Sequence, residues 1–206
     1  MTKRSLTASE ILLFALPLTF LSCGPSPESK QIRADYEKQT GRLRQLTYDS
    51  NKNGKPDSFS YMDGTKVLRI EIDKDEDGKI DRWEYYGSDS KLEKVGLSRA
   101  NDGKVDEWVY QGSDGTVARI EISTKRDGRV GRTEFYEKGA LVRTEDDTDG
   151  NGAIDKWETY SNGILTSVAF DTEGAGRPTR RLAYGEDGSV TRIESGAALE
   201  NSPSKP

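Results

Sequence analysis

Two segments of the chain place carboxylates at alternating positions ahead of a glycine. Residues 73–84 read DKDEDGKIDRWE, and residues 147–158 read DTDGNGAIDKWE. Oxygen atoms at the first, third and fifth positions can wrap one side of a hard divalent cation, and the seventh carbonyl and ninth side chain add further oxygens. Glycine at the sixth position of each segment permits the sharp bend that this wrapping requires. The chemistry that these residues indicate is cation coordination.

The two segments resemble the twelve-residue EF-hand calcium loop at each of its defining positions. The resemblance implies Ca²⁺ as the cofactor. The expected ligands in the first segment are Asp73, Asp75, Asp77, the carbonyl of Lys79, Asp81 and the closing Glu84. Those in the second are Asp147, Asp149, Asn151, the carbonyl of Ala153, Asp155 and the closing Glu158. Both glutamates rank below the aspartates, because a side chain on a strand leaving the loop can point away from the ion.

Four further copies of the pattern carry fewer acidic groups. The first copy keeps an oxygen at every position with less charge, and its candidate ligands are Asp49, Asn51, Asn53 and Asp57. The other three place non-ligating residues at key positions, such as Ala100, Lys125 and Ala175. Asp, Asn and Gly are also the residues that tight turns select, so each loop has a purely structural explanation. The aspartates repel one another, however, with four in residues 73–81 and three in residues 147–155, and this repulsion favours calcium in both segments.

The loops recur at a fixed period, which indicates a repeat array. The sixth-position glycines lie 24 or 25 residues apart, at Gly54, Gly78, Gly103, Gly128, Gly152 and Gly176. The flanks alternate with period two, as in RIEID before a loop and RWEYY after it, which is typical of strands. About twelve residues remain between loops, too few for the two helices of a paired helical hand. We predict an all-β fold, an elongated antiparallel meander of about six β-hairpin repeats in an open, twisted single sheet or solenoid.

The strand sequences predict how the sheet is divided into faces. Ile70 and Ile72 share one face, and Arg69 and Glu71 share the other, so a half-buried apolar face and a solvated charged face are expected. The aromatic residues of the exit strands are predicted to be spacers within the core rather than a carbohydrate platform. The regular spacing of the hairpins resembles that in the MORN-like arrays of bacterial surface proteins. A propeller is disfavoured, because six hairpins make only about three blades.

Composition excludes several classes of function. Hydrophobic residues are 32% and charged residues 33% of the 206, so the chain cannot fill a thick core. The net charge of -5 has interspersed signs, which leaves no basic surface for nucleic acid. The chain has no histidine and one cysteine, at position 23, so the domain is predicted not to be an enzyme.

The N-terminal residues predict export and a lipid anchor. A basic start and an apolar run at residues 11–22 precede Cys23, as in a secretory signal. The Leu21-Ser22-Cys23 sequence resembles the lipobox of bacterial lipoproteins, which implies lipidation at Cys23. The predicted organisation is a signal peptide at residues 1–22, a lipidated cysteine and tether at 23–35, a repeat domain at 36–194 and a disordered tail at 195–206. The resemblance implies the bacterial cell envelope, at the outer membrane, as the location.

Together these features predict a lipid-anchored envelope protein whose calcium loops stabilise a non-catalytic binding or structural surface. Its partners would be the membrane, through the anchor, and a protein or glycan that the sequence does not identify. One alternative is a metal-independent hairpin module for adhesion or recognition. Another is a glycan-acting enzyme that uses carboxylates at the edge of the repeats.

Overall fold

The structure, a computed structural model, describes residues 31–196 and residue 199. Fourteen strands lie within this part of the chain. They are β1 (Ile32–Tyr36), β2 (Leu43–Tyr48), β3 (Ser58–Asp63), β4 (Lys66–Ile72), β5 (Arg82–Tyr86), β6 (Leu92–Leu97), β7 (Glu107–Gln111), β8 (Val117–Ile122), β9 (Arg132–Glu137), β10 (Ala140–Asp146), β11 (Lys156–Ser161), β12 (Ile164–Phe170), β13 (Arg180–Tyr184) and β14 (Val190–Ser195).

All fourteen strands form one open antiparallel sheet. Their order in the sheet is their order in the chain, and each strand is hydrogen-bonded to its neighbours in sequence. Short turns close seven hairpins at one edge of the sheet, and six nine-residue loops join the hairpins at the opposite edge. The predicted all-β meander is confirmed, and it has one more hairpin than the six predicted.

The added hairpin changes the predicted domain boundary. Residues 32–35, assigned above to the tether, belong to strand β1. The signal segment and Cys23 lie outside the described residues. In the predicted tail, Ser195 ends β14 and Leu199 is buried. Among the described residues, no helix is long and apolar enough to cross a membrane.

The two faces of the sheet do not separate into an apolar face and a charged one. On the face that carries Arg69 and Glu71, the opposing residues of β5 are Tyr85 and Trp83. On the other face, Ile70 lies opposite Glu84. Within the described part of the chain the sheet is one layer thick, so neither face has a second layer against which a purely apolar surface could be buried. The expected division into faces was therefore wrong.

Long cationic side chains cover the aromatic rings in place of a second layer. A row of alternating rings and cations crosses eight strands on one face. It consists of Tyr61, Arg69, Tyr85, Lys94, Tyr110, Arg119, Phe135 and Arg143. The Arg69 guanidinium lies 4.0 Å from the Tyr61 ring centroid, and that of Arg143 lies 3.6 Å from the Phe135 centroid. Each such contact contributes about 0.5–1 kcal/mol at an exposed site.

The opposite face carries an ion-pair cluster centred on Arg132, which we call the Arg132 cluster. Its other members are Glu134, Asp146 and Glu158, whose carboxylate oxygens lie 2.9, 2.9 and 3.6 Å from the guanidinium nitrogens. The fully buried Thr144 donates its hydroxyl to Glu158 over 3.1 Å. The strands on this face are therefore tied together by charge as well as by apolar contact.

Candidate cation sites in the acidic loops

The six nine-residue loops lie in a row along one edge of the sheet. We number them loop 1 to loop 6 and their residues positions 1 to 9. They comprise residues 49–57, 73–81, 98–106, 123–131, 147–155 and 171–179. Successive loops are two strands apart, or about 9.5 Å at standard strand spacing.

A side chain at position 1 closes each loop by accepting a backbone hydrogen bond. In four loops it is an aspartate whose Oδ2 accepts from the amide of the position 6 glycine, as in Asp73 with Gly78 at 3.0 Å and Asp171 with Gly176 at 2.7 Å. Serine hydroxyls replace the aspartate in loops 3 and 4, where Ser98 accepts from the Asp102 amide and Ser123 from the Gly128 amide. The position 6 glycine has a positive φ, which is 88° in Gly78. Loop closure thus explains position 1 without a metal.

The side chain at position 9 has a second closing role. Asp81 accepts from the backbone amide of Lys74 at position 2 over 2.7 Å. The same contact is made in loops 1, 3, 5 and 6. In loop 6 the acceptor is the hydroxyl of Thr179 instead of a carboxylate. Positions 1 and 9 therefore belong to the turn itself, whereas position 3 holds an aspartate only in loops 2 and 5.

Loop 2 brings together Asp73, Asp75 and Asp81. One carboxylate oxygen from each lies within 4.8 Å of the other two. Oxygens bound to one Ca²⁺ at 2.3–2.6 Å are separated by at most about 5 Å, so a single ion can contact all three. Asp73 is only 8% exposed, and its Oδ1 is buried without a hydrogen-bond partner. Because Oδ2 accepts the Gly78 amide, Oδ1 is the oxygen left for a cation.

Loop 5 forms a matching cluster of Asp147, Asp149 and Asp155, again within 4.8 Å. Its oxygens have more internal partners. Asp147 Oδ1 accepts from the Gly150 and Asn151 amides, and Oδ2 accepts from Gly152. Burial alone would raise the pKa of Asp147, but these backbone hydrogen bonds outweigh it and lower the pKa. Two acidic clusters that can hold a metal ion are thus present among the described residues. Of the two, the cluster in loop 2 is the one with a buried carboxylate oxygen that lacks a hydrogen-bond partner.

The structure leaves the predicted ligand Asp77 outside the loop 2 cluster. Its Oδ2 pairs with Lys79 Nζ at 3.0 Å, and Oδ1 accepts the Lys79 amide. The hydrogen bonds from Lys79 lower the pKa of Asp77. In loop 5, Asn151 Oδ1 accepts the Ala153 amide over 2.7 Å. The carbonyls of Lys79 and Ala153 stay predictions.

The two closing glutamates belong to the strands and not to the metal clusters. Glu84 pairs with Arg82 and accepts the Tyr86 hydroxyl. Glu158 pairs with Lys156 at 2.6 Å and belongs to the Arg132 cluster. Burial would raise the pKa of Glu158, but hydrogen bonds from Lys156, Tyr160 and Thr144 hold it at about 2. The structure thus places both glutamates on the sheet, away from the clusters that they were predicted to complete.

Loop 1 contains two carboxylates, and both close the loop. Asp49 accepts the amides of Asn53 and Gly54, and Asp57 accepts the amide of Ser50. Asn51 and Asn53 turn their side-chain amides toward Glu76 of loop 2. The predicted oxygen set is present in sequence, but its two amide side chains donate to a neighbouring loop.

Contacts between loops are the feature that sequence reasoning missed. Asn101 of loop 3 donates to Asp75 Oδ2 over 2.7 Å, and Lys125 of loop 4 donates to the Asp149 carbonyl over 2.7 Å. Asn101 and Glu76 both occupy position 4, where every loop has a positive φ. The glycines at position 4 of loops 5 and 6 are the sequence signal for this left-handed backbone. From this position Glu76 and Asn101 reach the preceding loop.

Comparisons with known proteins do not identify a family. No family model matches the chain, and no curated protein does. Partial similarity to solved structures exists. A structure of S. aureus TarM is 15% identical over 48% of this chain, with a TM-score of 0.39. The accessory secretory protein 1, 2 and 3 structure from Streptococcus pneumoniae is 13% identical over 68% of it, with a TM-score of 0.26. The chain spans about a fifth of each of these proteins (19% in both), and such scores support no functional argument.

Proposed function

We propose that loops 2 and 5 bind Ca²⁺ and that the bound ions stabilise a non-catalytic binding or structural surface. The ligand atoms in both clusters are carboxylate oxygens, which suit hard cations. Zinc prefers nitrogen and sulfur ligands, and the chain has no histidine. Magnesium demands near-octahedral geometry and keeps several waters, whereas calcium accepts irregular sets of six to eight oxygens. Three carboxylates from one nine-residue loop therefore favour calcium.

The observation that carries this proposal is the buried, unpartnered Oδ1 of Asp73. A buried carboxylate oxygen without a hydrogen bond destabilises the folded chain, and an ion pair or a metal removes that penalty. Among the described residues no cation pairs with Asp73, whereas Asp77 in the same loop has Lys79. A bound ion would contact Asp73 Oδ1, Asp75 and Asp81, with the Lys79 carbonyl and water as further ligands.

Binding in loop 2 would also affect its neighbour. Asp75 Oδ2 already accepts a hydrogen bond from Asn101, which fixes the orientation of the carboxylate. An ion on Asp75 would therefore hold Asn101 and loop 3 in place. In this way two occupied sites would order neighbouring loops as well as loops 2 and 5 themselves.

Position 3 separates metal binding from loop closure in an experiment. Asp75→Asn removes a charge from the cluster and leaves the closing contacts of Asp73 and Asp81 in place. Glu173→Gln is the matched control, since Glu173 occupies position 3 of loop 6 and belongs to neither acidic cluster. Lys125 is unsuitable as a control, because it contacts loop 5 directly.

The measurement is thermal melting of the chain with Ca²⁺ and with a chelator. Extracellular calcium modules bind with dissociation constants of about 0.1–1 mM. At about ten times that concentration each occupied site adds about 1.4 kcal/mol. Asp75→Asn should abolish about half of the calcium-dependent rise, and Asp149→Asn in addition should abolish most of the rest. An equal rise in the double variant and the parent would show that the loops are only turns.

A metal-independent recognition module is the second candidate. The observation in its favour is that loops 3 and 4 close with serine hydroxyls, and so the scaffold forms hairpins without an acidic cluster in every loop. If chelation changes neither the melting temperature nor the binding of a partner, this candidate replaces the first.

Anchoring through a lipid on Cys23 belongs to the same proposal. The apolar run ahead of Cys23 and the position of the cysteine support it. A tether of about eight residues would then separate the anchor from β1, so the sheet would lie close to the membrane surface.

A further inference from the structure

Strand β1 is an edge of the sheet that no other described strand covers. All five of its residues are exposed, and its two large apolar side chains, Ile32 and Tyr36, are 51% and 56% exposed. An edge strand offers a row of unpaired backbone N–H and C=O groups to another strand. β1 contains no proline, so every residue in it can donate a backbone hydrogen bond.

The sequence of β1 is complementary to itself about Ala34. If two copies lie antiparallel with their Ala34 residues opposed, Arg33 of each copy faces Asp35 of the other. Ile32 of each then faces Tyr36 of the other on the opposite face of the sheet. Opposite charges and aromatic–β-branched pairs are the cross-strand combinations that stabilise antiparallel sheets. Neither Arg33 nor Asp35 has an ion-pair partner among the described residues.

The directions of the backbone N–H and C=O groups of β1 suit the same arrangement. The Asp49 amide donates to the Gln31 carbonyl, so Gln31 faces β2. Backbone groups alternate in direction along a strand, so Arg33 and Asp35 also face β2, whereas Ile32, Ala34 and Tyr36 face outward. Two copies opposed at Ala34 would therefore form a hydrogen-bonded pair at the twofold axis.

We propose that a second copy of this chain pairs with β1, giving a twofold dimer with one continuous sheet. The other edge, β14, is less suited, because its charges already have partners. Glu194 lies 3.1 Å from Arg192 of the same strand and 3.6 Å from Arg181 of β13. A dimer through β1 is closed, as most homodimers are, whereas β1 on β14 would build an open chain of copies. The proposal is independent of metal binding.

A charge swap tests the pairing. All variants are made in the full chain with Cys23→Ala, which removes the native thiol. Arg33→Glu places like charges opposite each other twice in the dimer and should raise the dissociation constant about tenfold or more, measured by analytical ultracentrifugation. Adding Asp35→Arg should restore the parental value. Within the chain these residues face Thr47 and Gln45, so neither change breaks an internal ion pair, and circular dichroism checks the fold.

The double swap also distinguishes a dimer through two β1 strands from pairing of β1 with a different strand. In head-to-tail pairing with β14, the swapped charges would face Arg192 and Glu194 with like signs, and the double variant would not recover. A single Ala34→Cys should form a disulfide with itself across the axis, since hydrogen-bonded pairs hold Cα atoms about 5.5 Å apart. A parent that is monomeric at all concentrations, or a crosslink from Ala34→Cys only to Ile193→Cys, would overturn the proposal.

Discussion

Glu158 provides the most direct test of how charge holds this one-layer sheet together. Its carboxylate faces Lys156 at 2.6 Å, the Tyr160 hydroxyl at 2.8 Å and the Thr144 hydroxyl at 3.1 Å, and it also faces Arg132. Glu158→Gln keeps the size of the side chain and an oxygen that accepts hydrogen bonds. It removes the charge that Lys156 and Arg132 share.

The pKa of Glu158 sets the size of the effect. A change from 4.5 to about 2 on folding corresponds to a ceiling of about 3 kcal/mol, at about 1.36 kcal/mol per pKa unit. The side chains of Lys156 and Arg132 are 26% and 24% exposed, so solvent screens part of the attraction. We expect Glu158→Gln to lower the free energy of unfolding by about 1–2 kcal/mol at pH 7.

The pH dependence distinguishes charge from packing. A carboxylate with a lowered folded pKa stabilises the protein fully above its unfolded pKa, near 4.5, and the stabilisation is lost as pH falls through 2. The difference between parent and variant in urea unfolding should therefore shrink to less than half between pH 7 and pH 3. Glu84→Gln is the control, because Glu84 has the corresponding arginine and tyrosine partners but no lysine. A difference that is the same at pH 7 and pH 3 would refute the electrostatic explanation.

Two further changes test the sheet and the anchor. Thr144→Val keeps the shape of a fully buried side chain but removes the hydroxyl that donates to Glu158, so urea unfolding should show a loss of about 1–2 kcal/mol. A loss unaltered in a Glu158→Ala background, which lacks the accepting oxygen, would argue against this hydrogen bond as the cause. Cys23→Ala should abolish incorporation of a labelled fatty acid in an exporting bacterium, and labelling that persists would exclude Cys23 as the attachment site.

The repeat period and the strand alternation were enough to predict the meander and the row of loops. Six glycines at a fixed spacing defined the period of the hairpin repeats, and each apolar–polar alternation indicated a strand. The division of the faces was not predictable in the same way. Alternation within β4 places Arg69 and Glu71 together, but only the register across a nine-residue loop decides that Trp83 and Tyr85 join them. Local pattern does not determine that register.

The carboxylates that cluster were predictable at positions 1, 3 and 9, whereas Asp77 and the two closing glutamates lie outside the clusters. Asp77 has a lysine two residues later, and a flexible cation nearby competes with an added ion for that carboxylate. Glu84 follows Arg82 at the period of a strand, which places both side chains on one face. Strand geometry, rather than the loop pattern, decides where the closing glutamate points.

The one-layer architecture also determines how this protein unfolds. Among the described residues every strand is hydrogen-bonded only to its neighbours in sequence, so no strand pairing ties one end of the sheet to the other. Stability in such linear arrays approximates a sum of local terms, and unfolding can proceed inward from either end. The stabilisation of a hairpin by its own loop would then remain local, and amide exchange in the monomer would be slowest near the central strands and fastest at β1 and β14. Such a sheet would respond to force or to proteolysis by losing hairpins singly, instead of unfolding as one cooperative unit.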